Sequence, residues 1–136
     1  MHRFLESNMT FRLELFVDDL MASTDFYGRV LGFVIGEQQA DGYTPLTNGD
    51  VSLSLNLRAN LPDAHPIQAV VGERLGRGIE LVLEVNDIEV MYKRVRSANW
   101  PLSGELQPQP WRLTDFRVLD PDGYYWRITT RGKDGS

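Results

Sequence analysis

Two stretches of this 136-residue chain, 68 residues apart, carry the same pattern, and that repeat restricts the fold more than any other feature. Over residues 11–17, Phe11, Leu13, Leu15 and Val17 alternate with Arg12, Glu14 and Phe16; over residues 79–85, Ile79, Leu81, Leu83 and Val85 alternate with Glu80, Val82 and Glu84. A period of two is that of a strand with one buried face. Asp18-Asp19-Leu20 follows the first stretch and Asn86-Asp87-Ile88 the second. An Asp immediately before apolar residues at helical spacing is a helix start. Each half of the chain therefore opens strand, then helix, and an internal duplication is the simplest source of the match.

The remaining elements follow from local signals. Phe26, Tyr27, Val30 and Leu31 lie at helical spacing within residues 23–31, and Gly32 closes that helix. Residues 33–36 begin a second strand, residues 43–47 form a third, Asn48-Gly49 is a hairpin turn, and residues 51–57 alternate as a fourth. Residues 58–78 hold Pro62, Pro66, Gly72, Gly76 and Gly78 without periodicity and read as a connector. The second half then predicts a helix over 88–98, a strand near Trp100 to Leu102, a Pro-rich loop, a strand over 114–119, the turn Asp120-Pro121-Asp122-Gly123 and a last strand over 124–130. The expected organisation is a tail (1–10), a first βαβββ module (11–57), the connector (58–78), a second module (79–130) and a tail (131–136). The fold class is α+β, with the modules forming a curved, cup-shaped, mixed or antiparallel sheet. At 42% hydrophobic and 24% charged residues the chain has the material for one real core. Phe11, Leu13, Leu15, Val17, Val51, Leu53, Leu55, Ile79, Leu81, Leu83, Val85, Trp126 and Ile128 are its expected strand residues, with Phe26 and Tyr27 from the helix.

Composition removes several chemistries. There is no Cys, which excludes disulfides, thiolate nucleophiles and Cys-ligated metals. The two His, His2 in the tail and His65 beside Pro66, do not furnish a multi-His cage. Lys plus Arg number 14 against 19 for Asp plus Glu, a net charge of -5, the wrong sign for neutralising phosphates, so nucleic acid is not an expected partner. Without a secretory segment or an apolar run of membrane-spanning length, the expected location is cytoplasmic, with no membrane partner.

Leu15-Phe16-Val17-Asp18-Asp19-Leu20, Ser23, Phe26-Tyr27 and Val30-Leu31-Gly32-Phe33 resemble the first module of the vicinal oxygen chelate superfamily, which includes glyoxalase I, extradiol dioxygenases and bleomycin-resistance proteins. Gln109-Pro110-Trp111, Asp115-Phe116 and Asp120-Pro121-Asp122-Gly123 are similar to the segment that marks the bleomycin-resistance-like branch. The resemblance spans about residues 10–130 and implies a homodimer with a ligand groove built across the two-fold axis. It also implies four metal-ligand positions, and these fall here on Arg12, on the Ser52-Leu53-Ser54 strand, on Glu80 and on Arg127. An Arg has no lone pair for a cation. The expectation is therefore no metal and no cofactor.

The residues expected to carry function are Arg12, Glu14, Phe16, Ser54, Glu80, Glu84, Trp111 and Arg127, all as ligand-binding groups, with none assigned to catalysis. Arg12, Glu80 and Arg127 form either an ion-pair network or forks facing a polar ligand. Trp111, in a Pro-rich loop, is either a ring platform for a ligand or dimer groove, or structural. The leading expectation is a metal-independent small-molecule-binding protein of the sequestering, antibiotic-resistance type, its ligand having aromatic and polar parts. The alternatives are a metal-dependent lyase, isomerase or dioxygenase, a metal-free enzyme with Glu80 or Glu84 as general base, or an accessory domain with no small ligand.

Overall fold

The computed structural model describes residues 8–131. The tails expected at 1–10 and 131–136, with His2, fall mostly outside that range.

The first half forms β1 (Glu14–Val17), α1 (Leu20–Asp25, continued by a wider π-helical turn Phe26–Val30), β2 (Val34–Ile35), β3 (Thr44–Asn48) and β4 (Val51–Leu57). After a short 3-10 turn (Arg58–Asn60) and the connector come β5 (Leu81–Val85), α2 (Ile88–Ser97), β6 (Gly104–Pro108), β7 (Thr114–Leu119) and β8 (Tyr125–Thr130). The βαβββ order occurs twice, as the repeat predicts. Each half makes its own mixed four-stranded sheet, in the orders β1-β4-β3-β2 and β5-β8-β7-β6. In both, the first strand pairs parallel to the last, and the other pairings are antiparallel.

The duplicated Asp residues explain why both helices start where they do. Asp19 and Asp87 are extended N-caps whose carboxylates accept from the Ala22 and Val90 amides, each at 3.1 Å. At the other end Gly32 takes φ +88°, the left-handed turn that lets the chain leave α1 for β2. Asn99, at φ +58°, does the same after α2.

One core joins the halves. Leu15, Val17, Leu53 and Leu55 of the first sheet and Leu83, Phe116, Val118, Trp126 and Ile128 of the second pack with Phe26, Tyr27 and Val30 of α1 and with Val95 of α2. Three further contacts tie the helices together: Arg94 donates to the carbonyls of Gly28 (3.1 Å) and Arg29 (3.2 Å), and Arg29 donates to that of Ala98 (3.1 Å). The Asp120–Gly123 turn is a second tie. Asp120 Oδ1 accepts from the amides of Asp122 and Tyr124, Asp120 Oδ2 accepts from the Tyr27 hydroxyl at 2.6 Å, and Asp122 accepts from the Asp18 amide.

Three expectations need correction. Phe11 is 87% exposed and Ile79 is also exposed, because the hydrogen-bonded strands begin at Glu14 and Leu81 and the apolar alternation runs past the pairing. The strand expected near Trp100 lies at Gly104–Pro108 instead. The chain leaves α2 through the left-handed Asn99, Pro101 has no amide for a ladder, and Trp100 packs its ring 4.8 Å from Phe26 while its Nε1 donates to the Leu119 carbonyl at 2.8 Å.

Candidate ligand-binding site

Alternation places Val82 and the polar residues Glu84, Asp115, Arg117, Tyr125, Arg127 and Thr129 of β5, β7 and β8 on the face of the second sheet away from the helices. With Glu80, Trp111 and Leu113 from the flanking loops, much of this face lines a hollow of about 490 Å³.

The charge network of this face centres on Asp115, which is only 1% exposed. Oδ1 accepts from Gln109 Nε2 at 2.9 Å, and Oδ2 faces Arg117 Nη2 at 3.2 Å and Arg127 Nη1 at 3.9 Å. A buried carboxylate is tolerable only when paired in this way. Arg127 also reaches Glu80 (Nε to Oε1, 3.3 Å), and its Cζ stands 5.9 Å from the centre of the Trp111 ring. Arg117 Nη1 donates to the Tyr125 hydroxyl at 3.1 Å. Burial works against the Arg117 cation, but Tyr125 and Asp115 outweigh it and hold its pKa above the ordinary value. Arg117 Nε is buried with no partner. Trp111 is 51% exposed, and Glu84 has no hydrogen-bond or ion-pair partner among the described residues.

Four of the eight residues expected from the sequence thus come together here: Glu80, Glu84, Trp111 and Arg127. The other four do not join them. Arg12 has its side chain 70% exposed and pairs with its own neighbour Glu14 at 3.2 Å, so the expected Arg12–Glu80–Arg127 set is an Arg127–Glu80 pair without Arg12. The reason is that Arg12 precedes β1 and is not held in the sheet. Glu14 and Phe16 line a separate hollow of about 380 Å³ beside the connector. Ser54 is buried in β4 between its register partners Glu14 and Pro45. Asp115, Gln109 and Arg117 are members of this network that the sequence reading did not assign to the site. Arg117 had a readable signal, since it shares strand parity with Asp115 on 114–119.

A larger hollow of about 620 Å³ lies between the modules, walled mainly by apolar side chains such as Leu13, Leu53, Leu81, Val85 and Met91. Asp50, Glu84 and Arg131 are its charged lining, and among the described residues it has no charge network comparable to that around Asp115.

The donor set does not suit a metal. Of the positions where the resemblance implies ligands, two are guanidiniums, and Arg127 forms an ion pair with the one carboxylate, Glu80. Among the described residues no three His, Cys, Asp or Glu side chains are grouped to hold an ion.

Comparison with known proteins places this geometry in a family. Among curated proteins no sequence matches. Of solved structures, TioX from Micromonospora sp. ML1 superposes with a TM-score of 0.70 at 23% identity, over 89% of this chain and 98% of that one. A protein of unknown function from Agrobacterium tumefaciens reaches 0.75 at 23% identity, over 96% of this chain and all of its own. A glyoxalase-related enzyme from Fulvimarina pelagi reaches 0.73 at 23% identity, over 96% of each chain. At such identities these structures establish a shared fold, and functions differ widely within one fold. The family model for the glyoxalase, bleomycin resistance protein and dioxygenase superfamily matches residues 10–128, and this chain, two βαβββ modules around one core, belongs to that superfamily.

Proposed function

We propose that the protein is a metal-independent small-molecule-binding protein of the bleomycin-resistance-like branch, working by sequestration and breaking no bond in its ligand. The observation that carries this reading is the Arg127–Glu80–Asp115–Arg117 network, in which Glu80 and Arg127, at two of the implied ligand positions, pair with each other and Arg127 also faces Asp115, the partner of Arg117. What remains open to a ligand is an exposed indole with the apolar side chains of Val82 and Leu113 in the same hollow, an apolar and aromatic surface of the kind small-molecule pockets use. The hollow is open on one side. In this proposal a second copy of the chain closes it as a homodimer, and the protein works in the cytoplasm. No helix among the described residues is long and apolar enough to cross a membrane.

The test combines equilibrium dialysis against Mn, Fe, Ni and Zn with amide NMR titration of a small aromatic fragment set. The proposal expects no stoichiometric metal uptake, and fragment shifts clustered around Trp111, Val82 and Thr129. About one metal per chain, lost in Glu80→Gln, overturns it. Sedimentation velocity of the purified protein tests the dimer, and a monomer at all concentrations refutes that part. A second reading is favoured by one observation, the unpartnered Glu84 carboxylate, which could act as a general base in a metal-free enzyme. It requires a bound fragment to exchange a carbon-bound proton with solvent, and that exchange to stop in Glu84→Gln.

A further inference from the structure

We infer that the hollow on the second sheet takes a planar aromatic cation, its charge against Glu84 and its ring against Trp111. This deepens the small-molecule reading and rests on it.

The argument is one of charge and position. Glu80, Glu84 and Asp115 bring three negative charges to this face, and Arg117 and Arg127 bring two positive ones. Both guanidiniums are committed. Arg117 is held by Asp115 and Tyr125, and Arg127 by Glu80, Asp115 and the Trp111 ring. Arg117 Nε is buried and cannot meet a ligand, and Arg127, with its side chain 20% exposed, faces Glu80 through Nε and Asp115 through Nη1. An anion entering the hollow therefore meets a net negative surface on which each guanidinium already faces a carboxylate, while a cation finds Glu84 with no ion-pair partner among the described residues. The whole chain, at a net charge of -5, biases approach the same way.

Position sets the rest of the ligand. Val82 pairs in register with Arg127, which lies beneath Trp111, and Glu84 is two residues along the same face of β5, about 7 Å away at the rise of an extended strand. Val82 and Trp111 are exposed and Leu113 half-buried, so a flat apolar floor and wall adjoin the carboxylate at the distance spanned by one ring and its substituent. Arg127 covers one approach to the indole, already neutralised, and leaves the exposed part of the ring for stacking.

Benzamidinium, benzamide and benzoate share a ring and a size and differ in charge, which makes them the probes. Amide NMR titration near neutral pH reads the site from residues around Val82, Trp111 and Thr129. Benzamidinium should bind there at least about tenfold tighter than benzamide, with benzoate weakest, as a partly desolvated charge pair predicts. That advantage should shrink severalfold in about 0.5 M salt. Glu84→Gln, at an exposed residue without partners, should bring benzamidinium down to the benzamide level and leave benzamide unchanged, whereas Trp111→Ala should weaken both. Benzamide or benzoate binding there as tightly as benzamidinium, or an advantage that survives Glu84→Gln, overturns the inference and leaves the small-molecule reading standing. If none of the three shifts this face, both the inference and this hollow as a ligand site are refuted.

Discussion

Replacing Tyr27 by Phe removes a single oxygen from the core, and the structure makes both its cost and its pH dependence calculable. The Tyr27 hydroxyl donates to Asp120 Oδ2 at 2.6 Å and accepts from Trp126 Nε1 at 3.0 Å, with all three side chains buried. Without it, the indole N–H has no acceptor and Asp120 Oδ2 loses its donor. Losing a hydrogen bond to a charged group costs about 1.5–3 kcal/mol and an orphaned buried donor about 1–3 kcal/mol, so Tyr27→Phe should destabilise by about 3–4 kcal/mol at neutral pH. The pH dependence follows from Asp120. Burial, opposed by the hydrogen bonds from Tyr27, Tyr124 and Asp122, raises its pKa to about 6. A carboxyl whose folded pKa lies above its unfolded value contributes stability that is present at low pH and lost as pH rises through the folded pKa. This group alone thus makes the protein about 3 kcal/mol more stable below about pH 4 than above about pH 6. Tyr27 is one of the donors that restrain the rise, so in Tyr27→Phe the carboxyl titrates higher and more stability is lost as it ionises. Urea unfolding of both proteins at about pH 4.5 and about pH 7.5 measures this, and the deficit of the variant should be larger at the higher pH by about 1 kcal/mol or more. A deficit that is equal at the two pH values, or larger at the lower one, refutes the account of the Asp120 turn.

Asp115→Ala should cost about 3 kcal/mol or more in the same assay, because it leaves Arg117 and Arg127 facing each other in a half-buried place; a loss below about 1 kcal/mol would mean that water already screens the pair. Trp111→Ala should weaken ligand binding by roughly 1–3 kcal/mol and cost less than about 1 kcal/mol of stability, since half of its surface is exposed; a loss above about 3 kcal/mol would make Trp111 structural. Arg94→Ala should destabilise by about 1 kcal/mol by removing the hydrogen bonds from α2 to the end of α1, and amide exchange should rise at residues 28–33 before it rises in the sheets. EDTA should leave the melting temperature unchanged, and a fall of several degrees would point to a metal that contributes to folding.

The strands and helices were legible in the sequence because each is written in a period that one segment contains. Residues 51–57 alternate over seven positions and are β4 as expected; Asp19 and Asp87 announce the helices that they cap. Where a segment's fate depended on a distant partner, the reading failed. Nothing local in Phe11 or Ile79 says that the ladder begins only two or three residues later, at Glu14 opposite Ser54 and at Leu81 opposite Trp126. The site shows the same limit. Glu80 and Arg127 were found from the ligand positions that the family resemblance implies and Glu84 from strand parity, but Asp115 holds Arg117, Arg127 and Gln109 through contacts that neither ranks.

The two modules explain why half of the expected site did not assemble. Glu14 pairs with Ser54 in the first sheet as Val82 pairs with Arg127 in the second, and Pro45 flanks Ser54 as Arg117 flanks Arg127. Register therefore makes Ser54 the counterpart of Arg127 and Pro45 that of Arg117, while the repeat makes Phe16 the counterpart of Glu84. Arg127, Arg117 and Glu84 of the second sheet are answered in the first by neutral side chains, and Ser54 can lie buried there because it has no charge to desolvate. A pattern search that treats the halves as equivalent assigns Arg12 to the same cluster as Glu80, since both stand one residue after the start of the repeat. The geometry separates them, because Glu80 has Arg127 across the sheet to hold it and Arg12 has only Ser54's strand and its own neighbour Glu14. The two halves share the Asp N-caps and the apolar faces, on which folding depends in both, and differ on the outward face of each sheet. Charge chemistry accumulated on one of them.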